Sequence, residues 1–146
     1  MATHHDAEIV LKLYDLRREP LMRTARDFMA TKFWPQNAGD IVKLMQDFGS
    51  EQNAYFRQVT SFWDMAVSFP NRNAVDPDLF SDWSGEMYFI MAKLHPHLDE
   101  VRMQMDAPQW MGNILKFINS KQEYQTKFEA FKKRAANMSQ RFAAKA

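Results

Sequence analysis

The side chains best suited to metal chemistry in this sequence stand together in His95-Pro96-His97, followed by Asp99 and Glu100. Imidazole and carboxylate in one cluster suit zinc or another first-row metal. The spacing argues against such a site. Pro96 breaks the i, i+4 helical geometry that sets two histidines on one face. Neither His-Glu-x-x-His nor a paired Glu-x-x-His occurs. The two histidines therefore read as surface residues at a helix break, and no metal or cofactor is expected. His4-His5 lies in a terminal stretch, with His4 spaced to meet Glu8. The chain has no cysteine, which excludes thiolate catalysis, a disulfide framework and cysteine-ligated zinc. The four glycines, Gly39, Gly49, Gly85 and Gly112, are isolated, and no phosphate-cradling or nucleophile-elbow motif surrounds them. No catalytic residue is assigned, and an enzyme is not expected.

The remaining chemistry is charge. Residues 1–120 carry 12 Lys and Arg against 16 Asp and Glu, while residues 121–146 carry 7 against 2. A basic tail thus follows a mildly acidic body. Near the start, Arg17, Arg18, Arg23 and Arg26 alternate with Asp15, Glu19 and Asp27. These arginines read as a solvated, salt-bridged face rather than an anion site, because the carboxylates neutralise the field. Glu19–Arg23 and Arg23–Asp27 are helix-supporting i, i+4 pairs. Glu86 reads as a first-turn acid favoured by the helix dipole, with a buried carboxylate as the other reading.

The elements that must hold these residues are helical. In the first, capped by Asp6, Ile9, Val10, Leu13 and Leu16 follow the i, i+3, i+4, i+7 rule. Pro20 suits the first turn of a second helix to about Phe33, with Met22, Ala25, Phe28 and Met29 inward. Asn37 and Asp40, three apart, open a third with Ile41, Leu44, Met45 and Phe48 inward, and Gly49 suits its C-terminal stop. Ser50 caps a fourth to about Ser68, ended by the turn Phe69-Pro70-Asn71-Arg72-Asn73. Asp76-Pro77 is a cap followed by proline at the first helical position. A fifth long helix carries Met87, Ile90, Met91 and Leu94, and beyond a kink at Pro96 come Leu98, Val101 and Met105.

The most regular stretch comes last. Trp110, Ile114, Phe117, Lys121, Tyr124, Phe128, Phe131, Ala135, Met138 and Phe142 are spaced alternately four and three, a heptad seam with one polar member. It predicts a long C-terminal helix over 108–142, continuous or broken near Asn119-Ser120, where two weak helix formers meet. Residues 1–5 are expected to be flexible and 143–146 frayed. A helix this long on a chain of 146 residues needs another surface to cover it. Tyr124, Phe128, Phe131, Met138 and Phe142 are thus the expected interface, with a second copy (a homodimer) or another helical protein as the partner. Anionic lipid is a weaker alternative for the basic tail. Nucleic acid is not expected, since no recognition motif is present and the body is acidic. A different reading is a small-ligand or lipid sensor with a pocket among Trp63, Phe80, Trp83 and Tyr88. With 11 methionines and 12 phenylalanines, either reading has the side chains it needs.

Leu13-Tyr14-Asp15-Leu16-Arg17 running into Met22-Arg23-Thr24-Ala25-Arg26 carries a resemblance that extends from Ala7 to about Ser120. Asn53-Ala54-Tyr55-Phe56, Phe62-Trp63, Val75-Asp76-Pro77-Asp78-Leu79-Phe80 and Pro96 followed by Glu100-Val101-Arg102 continue it. Over this stretch the chain resembles an uncharacterised family of bacterial all-helical domains of unknown function. The resemblance implies a helical fold and no activity. Such domains often follow a membrane helix, which this sequence does not show ahead of the domain. The longest apolar run, Met87 to Ala92, is far short of the roughly 20 residues that span a membrane, and the N-terminus has no signal-peptide pattern. The sequence thus predicts a single cytoplasmic all-α domain over residues 1–146, a compact bundle of about six helices with a long C-terminal helix, acting as an interaction or scaffolding module.

Overall fold

In a computed structural model, which describes residues 1–145, the chain is helical nearly throughout. Thr3 opens α1 (His4–Arg17): its hydroxyl accepts from the Asp6 N–H while Asp6 accepts from the Thr3 N–H. This reciprocal capping box moves the expected cap from Asp6 to Thr3 and starts the helix within the N-terminal stretch. Glu19 caps α2 (Pro20–Thr31) through the Met22 N–H, with Pro20 at the first position. Asn37 caps α3 (Ala38–Gln46) and Ser50 caps α4 (Glu51–Asn71), each through the N–H three residues on. Asp76 does the same for α5 (Pro77–Trp83). After Ser84 comes α6 (Gly85–Leu94), then the 3-10 turn His95–His97 and α7 (Leu98–Gln104). The chain ends with α8 (Gly112–Ile118) and α9 (Gln122–Lys145).

Among the described residues there are thus nine α-helices and no strands, more pieces than the expected six because prolines and short turns cut the longer stretches. The long C-terminal seam is two helices. Asn119, Ser120 and Lys121 separate α8 from α9, and Ser120 turns its hydroxyl onto the Phe117 carbonyl. Here local hydrogen bonding by a weak helix former wins over propagation. Conversely, α4 runs through the turn expected at Phe69, because Pro70 is buried in its final turn and the reversal waits for Asn73 at φ 59°. Gly49 takes a left-handed φ of 94°, but two residues after the Asp47 cap of α3.

The fold is organised around α4, which packs against α2, α3, α5 and α8. Phe56, Val59, Trp63, Ala66 and Val67 form its buried stripe. On one flank α6 lies against α9. Because α6 is covered on both sides, its residues from Met87 to Leu94 are buried with the sole exception of the half-buried Phe89. Leu16 and Phe48, expected to face inward, are exposed. Arg17 is buried in place of Leu16, for a reason that lies in α6. No described helix is long and apolar enough to cross a membrane.

Candidate functional site

Two charged groups of α6 organise the polar contacts inside this apolar frame. The first is Glu86. Its Oε2 accepts from Arg26 Nε at 2.7 Å and from an Arg17 terminal nitrogen at 3.3 Å, and its Oε1 accepts from the Trp63 indole at 2.9 Å. One carboxylate in the first turn of α6 thereby joins the end of α1, the middle of α2 and the centre of α4. Arg17 is only 8% exposed, and its guanidinium lies 5.2 Å from the Trp63 ring centre and 5.5 Å from that of Trp83. Burial pushes its pKa down, and the Glu86 charge opposes that shift. Two buried N–H groups here, Arg17 Nε and Trp83 Nε1, have no partner. Arg17 and Arg26 thus leave the mixed-charge surface they were expected to share. Both turn instead to a carboxylate 69 and 60 residues away. Glu86 satisfies both readings of it, as a first-turn acid that is also largely buried.

The second group is Lys93, 6% exposed on the last turn of α6. Its ammonium nitrogen donates to the Met29 carbonyl and, at 3.1 Å, to the Phe33 carbonyl, so it terminates α2 from a distance. It also sits 4.0 Å from the Trp34 ring centre and 4.6 Å from that of Phe89, a cation–π enclosure. Burial brings its pKa down to about 7. Lys93 forms part of the wall of an open cleft of about 420 Å³ between the α2–α3 connector, the 3-10 turn and α9. Trp34 and Pro35 stand on one side, His97 and Lys132 on another, and Ala92, Ala135 and Ala136 leave the space between them. Among the described residues, no aspartate or glutamate lines it. Size, a few convergent polar groups and a titratable residue displaced by burial are the marks of a ligand site.

The expected site residues fall elsewhere. Trp63, Phe80 and Trp83 touch one another, with ring centres 5.3 to 6.4 Å apart, and Trp63 and Phe80 are fully buried. Tyr88 is buried apart from them, stacked on Phe131 at 5.7 Å and hydrogen-bonded to Ser81 Oγ at 2.8 Å. These rings fill their own space as core. Of the expected interface, Tyr124 and Phe128 are buried against the body of the same chain. Tyr124 stacks on Phe117 at 4.6 Å and donates to Asp78, which also accepts from Lys121, the polar member of the seam. Phe131 covers Tyr88. Met138 and Phe142 remain 38% and 42% exposed. Of the histidine pair, His95 turns edge-on to Phe128, with its pKa lowered by burial, and His97 faces the Lys93 cleft. No group of three or more potential ligands is gathered among the described residues.

Lys93 carried a sequence signal that periodicity alone passes over. It is a lysine inside the apolar run from Met87 to Leu94, three and four residues after Ile90 and Phe89, on a helix with no polar face to receive it.

Compared with known families, residues 2–121 match the model of a family described as a domain of unknown function, DUF4760. The match ends where α9 begins, so the helix forming one wall of the cleft lies beyond it. No curated protein and no solved structure matches the chain.

Proposed function

The chain belongs to the DUF4760 family of domains of unknown function, and on that premise we propose that it is a helical interaction module that pairs with a second copy through the partly exposed C-terminal end of α9. The observation that carries this reading is a mismatch of lengths. At about 1.5 Å per residue, the 24 residues of α9 extend for roughly 36 Å, and the ten of α6 for roughly 15 Å. The stripe that docks on the body (Tyr124, Phe128, Phe131, Ala135) continues in register through Met138 and Phe142, where the cover thins: both stay partly exposed, with Phe142 stacked on Trp34 at 6.3 Å on one face. The expected interface of five residues is thereby narrowed to two.

Charge supports a second copy as the occupant. Residues 121–146 hold 7 basic against 2 acidic residues, and residues 1–120 hold 12 against 16. The basic end of α9 is complementary to the body of another copy rather than to another α9. Such pairing is isologous, each helix end resting on its partner's body, and it weakens as salt screens exposed charge.

Light scattering at about 100 μM protein tests it, using Met138→Asp because Met138 is exposed and a change there spares the core. The wild-type mass should be that of a dimer at low salt. The variant should be a monomer with an unchanged melting temperature. A monomeric wild type, or a variant that still dimerises, overturns the proposal.

A further inference from the structure

The cleft beside Lys93 is not explained by self-association, and its chemistry is specific. We propose that it binds a small organic carboxylate, with the carboxylate held by Lys93 and Lys132 and an apolar body lying over Ala92, Ala135 and Ala136 beside Trp34.

Four observations carry this. The cleft is open to solvent and holds about 420 Å³, within the usual range for small-ligand sites. Its charged lining is of one sign: Lys93 and Lys132, with His97 beside them and no lining carboxylate. An anion is the ligand this arrangement selects, since burying like charges without a counter-ion is costly. Lys93 is also pre-positioned. Two of its donor directions are taken by the Met29 and Phe33 carbonyls, and the rings of Trp34 and Phe89 flank the ammonium nitrogen itself. Only the third donor of the protonated amine is free for a ligand. Lastly, the floor is alanine and the side wall is Trp34 and Pro35, so the rest of the ligand meets apolar surface. Lys132 reaches the cleft from α9, where it is paired with Glu129 at 2.6 Å and half-covers Phe128. Glu129 is exposed and Lys132 is half-buried, so solvent weakens the pair and Lys132 can turn to a second carboxylate at modest cost.

A consequence separates this site from a merely apolar groove. The titratable groups facing Lys93 are Glu86 from its own helix, His97 from the 3-10 turn and Lys132 from α9, while the α2–α3 connector brings only carbonyls and rings. Burial holds the Lys93 pKa near 7, so at pH 8 most of the amine is neutral. A bound carboxylate favours its charged form, so binding draws in a proton.

Phenylacetate is the probe and phenylacetamide its neutral counterpart. Titration calorimetry at pH 8, repeated in HEPES and in Tris, reads both affinity and proton uptake. Phenylacetate should bind, with a heat that differs between the buffers by up to one proton per site, and phenylacetamide should bind at least tenfold more weakly. Lys93→Met should lose the affinity by at least tenfold along with the buffer dependence. Ala136→Phe, an exposed position on the α9 wall, should block the cleft without disturbing Lys93 or the fold. The proposal is overturned by equal binding of acid and amide, by phenylacetate binding unchanged in Ala136→Phe, or by no binding to the wild type. Monomeric wild-type protein that still binds phenylacetate would sink the self-association reading and leave this one standing.

Discussion

Glu86→Ala should cost this domain about 3–5 kcal/mol, the range found when one partner of a buried ion pair is removed, and lower its melting temperature by roughly 10 °C or more at this chain length. The size of the effect comes from what is left behind. Arg17 is 8% exposed and already has one unpartnered N–H. Without Glu86 it keeps only the faces of Trp63 and Trp83. Trp63 Nε1, on a fully buried ring, loses its acceptor as well. Arg26 loses its 2.7 Å partner and keeps the Arg17 carbonyl at 3.4 Å. Glu86→Gln should fall between, since an amide oxygen still accepts from Trp63 but does not balance two guanidinium charges. Arg17→Met should be milder than Glu86→Ala. It removes a buried charge and its unpaired donor together, and Glu86 keeps Arg26 and Trp63. Chemical denaturation of the three variants checks the order. A loss under about 1 kcal/mol for Glu86→Ala, or a larger loss for Arg17→Met, would show that the carboxylate is not what joins α1, α2 and α4.

This joint marks the boundary between what was legible in the sequence and what was not. The helix starts at Pro20, Asn37, Ser50 and Asp76 were legible, because caps act within three residues and prolines act on their own backbone. The weakness at Asn119-Ser120 was legible for the same reason, and it became the break before α9. Arg17 and Leu16 were misassigned because periodicity places Leu16 on the inner stripe, whereas tertiary docking brings a carboxylate 69 residues away to Arg17. A heptad seam likewise records that a stripe is covered without recording by what. Tyr124, Phe128 and Phe131 fit a partner helix and fit the chain's own body equally well, and in the folded chain Phe117 of α8 takes Tyr124, His95 of the 3-10 turn meets Phe128 and Tyr88 of α6 takes Phe131. The aromatic set Trp63, Phe80, Trp83 and Tyr88 shows the same ambiguity: large rings line pockets or fill cores, and their volume decides only once their neighbours are in place. The residues lining the cleft come from positions 34 to 140, so no local pattern announces it.

Lys93 makes the stability of the domain depend on pH in a direction opposite to that of an ordinary surface lysine. Its pKa is near 7 in the folded chain and about 10.5 when unfolded. Between those values the unfolded chain holds the extra proton, so stability rises with pH across that window. Below pH 7 both states are protonated and the contribution is flat at its least favourable level. From pH 7 to pH 9.5 the rise approaches about 3 kcal/mol for a fully displaced group, at about 1.4 kcal/mol per pH unit. Lys127 adds to the rise, because burial also lowers its pKa while its ammonium nitrogen donates to the Ser81 carbonyl. Above about pH 10 the buried Tyr88 and Tyr124 act the other way. Their pKa values are raised by burial, so the unfolded chain ionises first and stability falls. The domain should therefore be more resistant to urea at pH 9.5 than at pH 7. In Lys93→Met the slope between those two values should shrink to what Lys127 supplies. The slope is the decisive quantity, since the substitution also leaves the Met29 and Phe33 carbonyls without their donor and shifts the level at every pH alike. If the variant keeps the wild-type slope, the amine is charged in the folded state throughout, and the aromatic and carbonyl enclosure of Lys93 is a site for an ammonium ion rather than a poised amine.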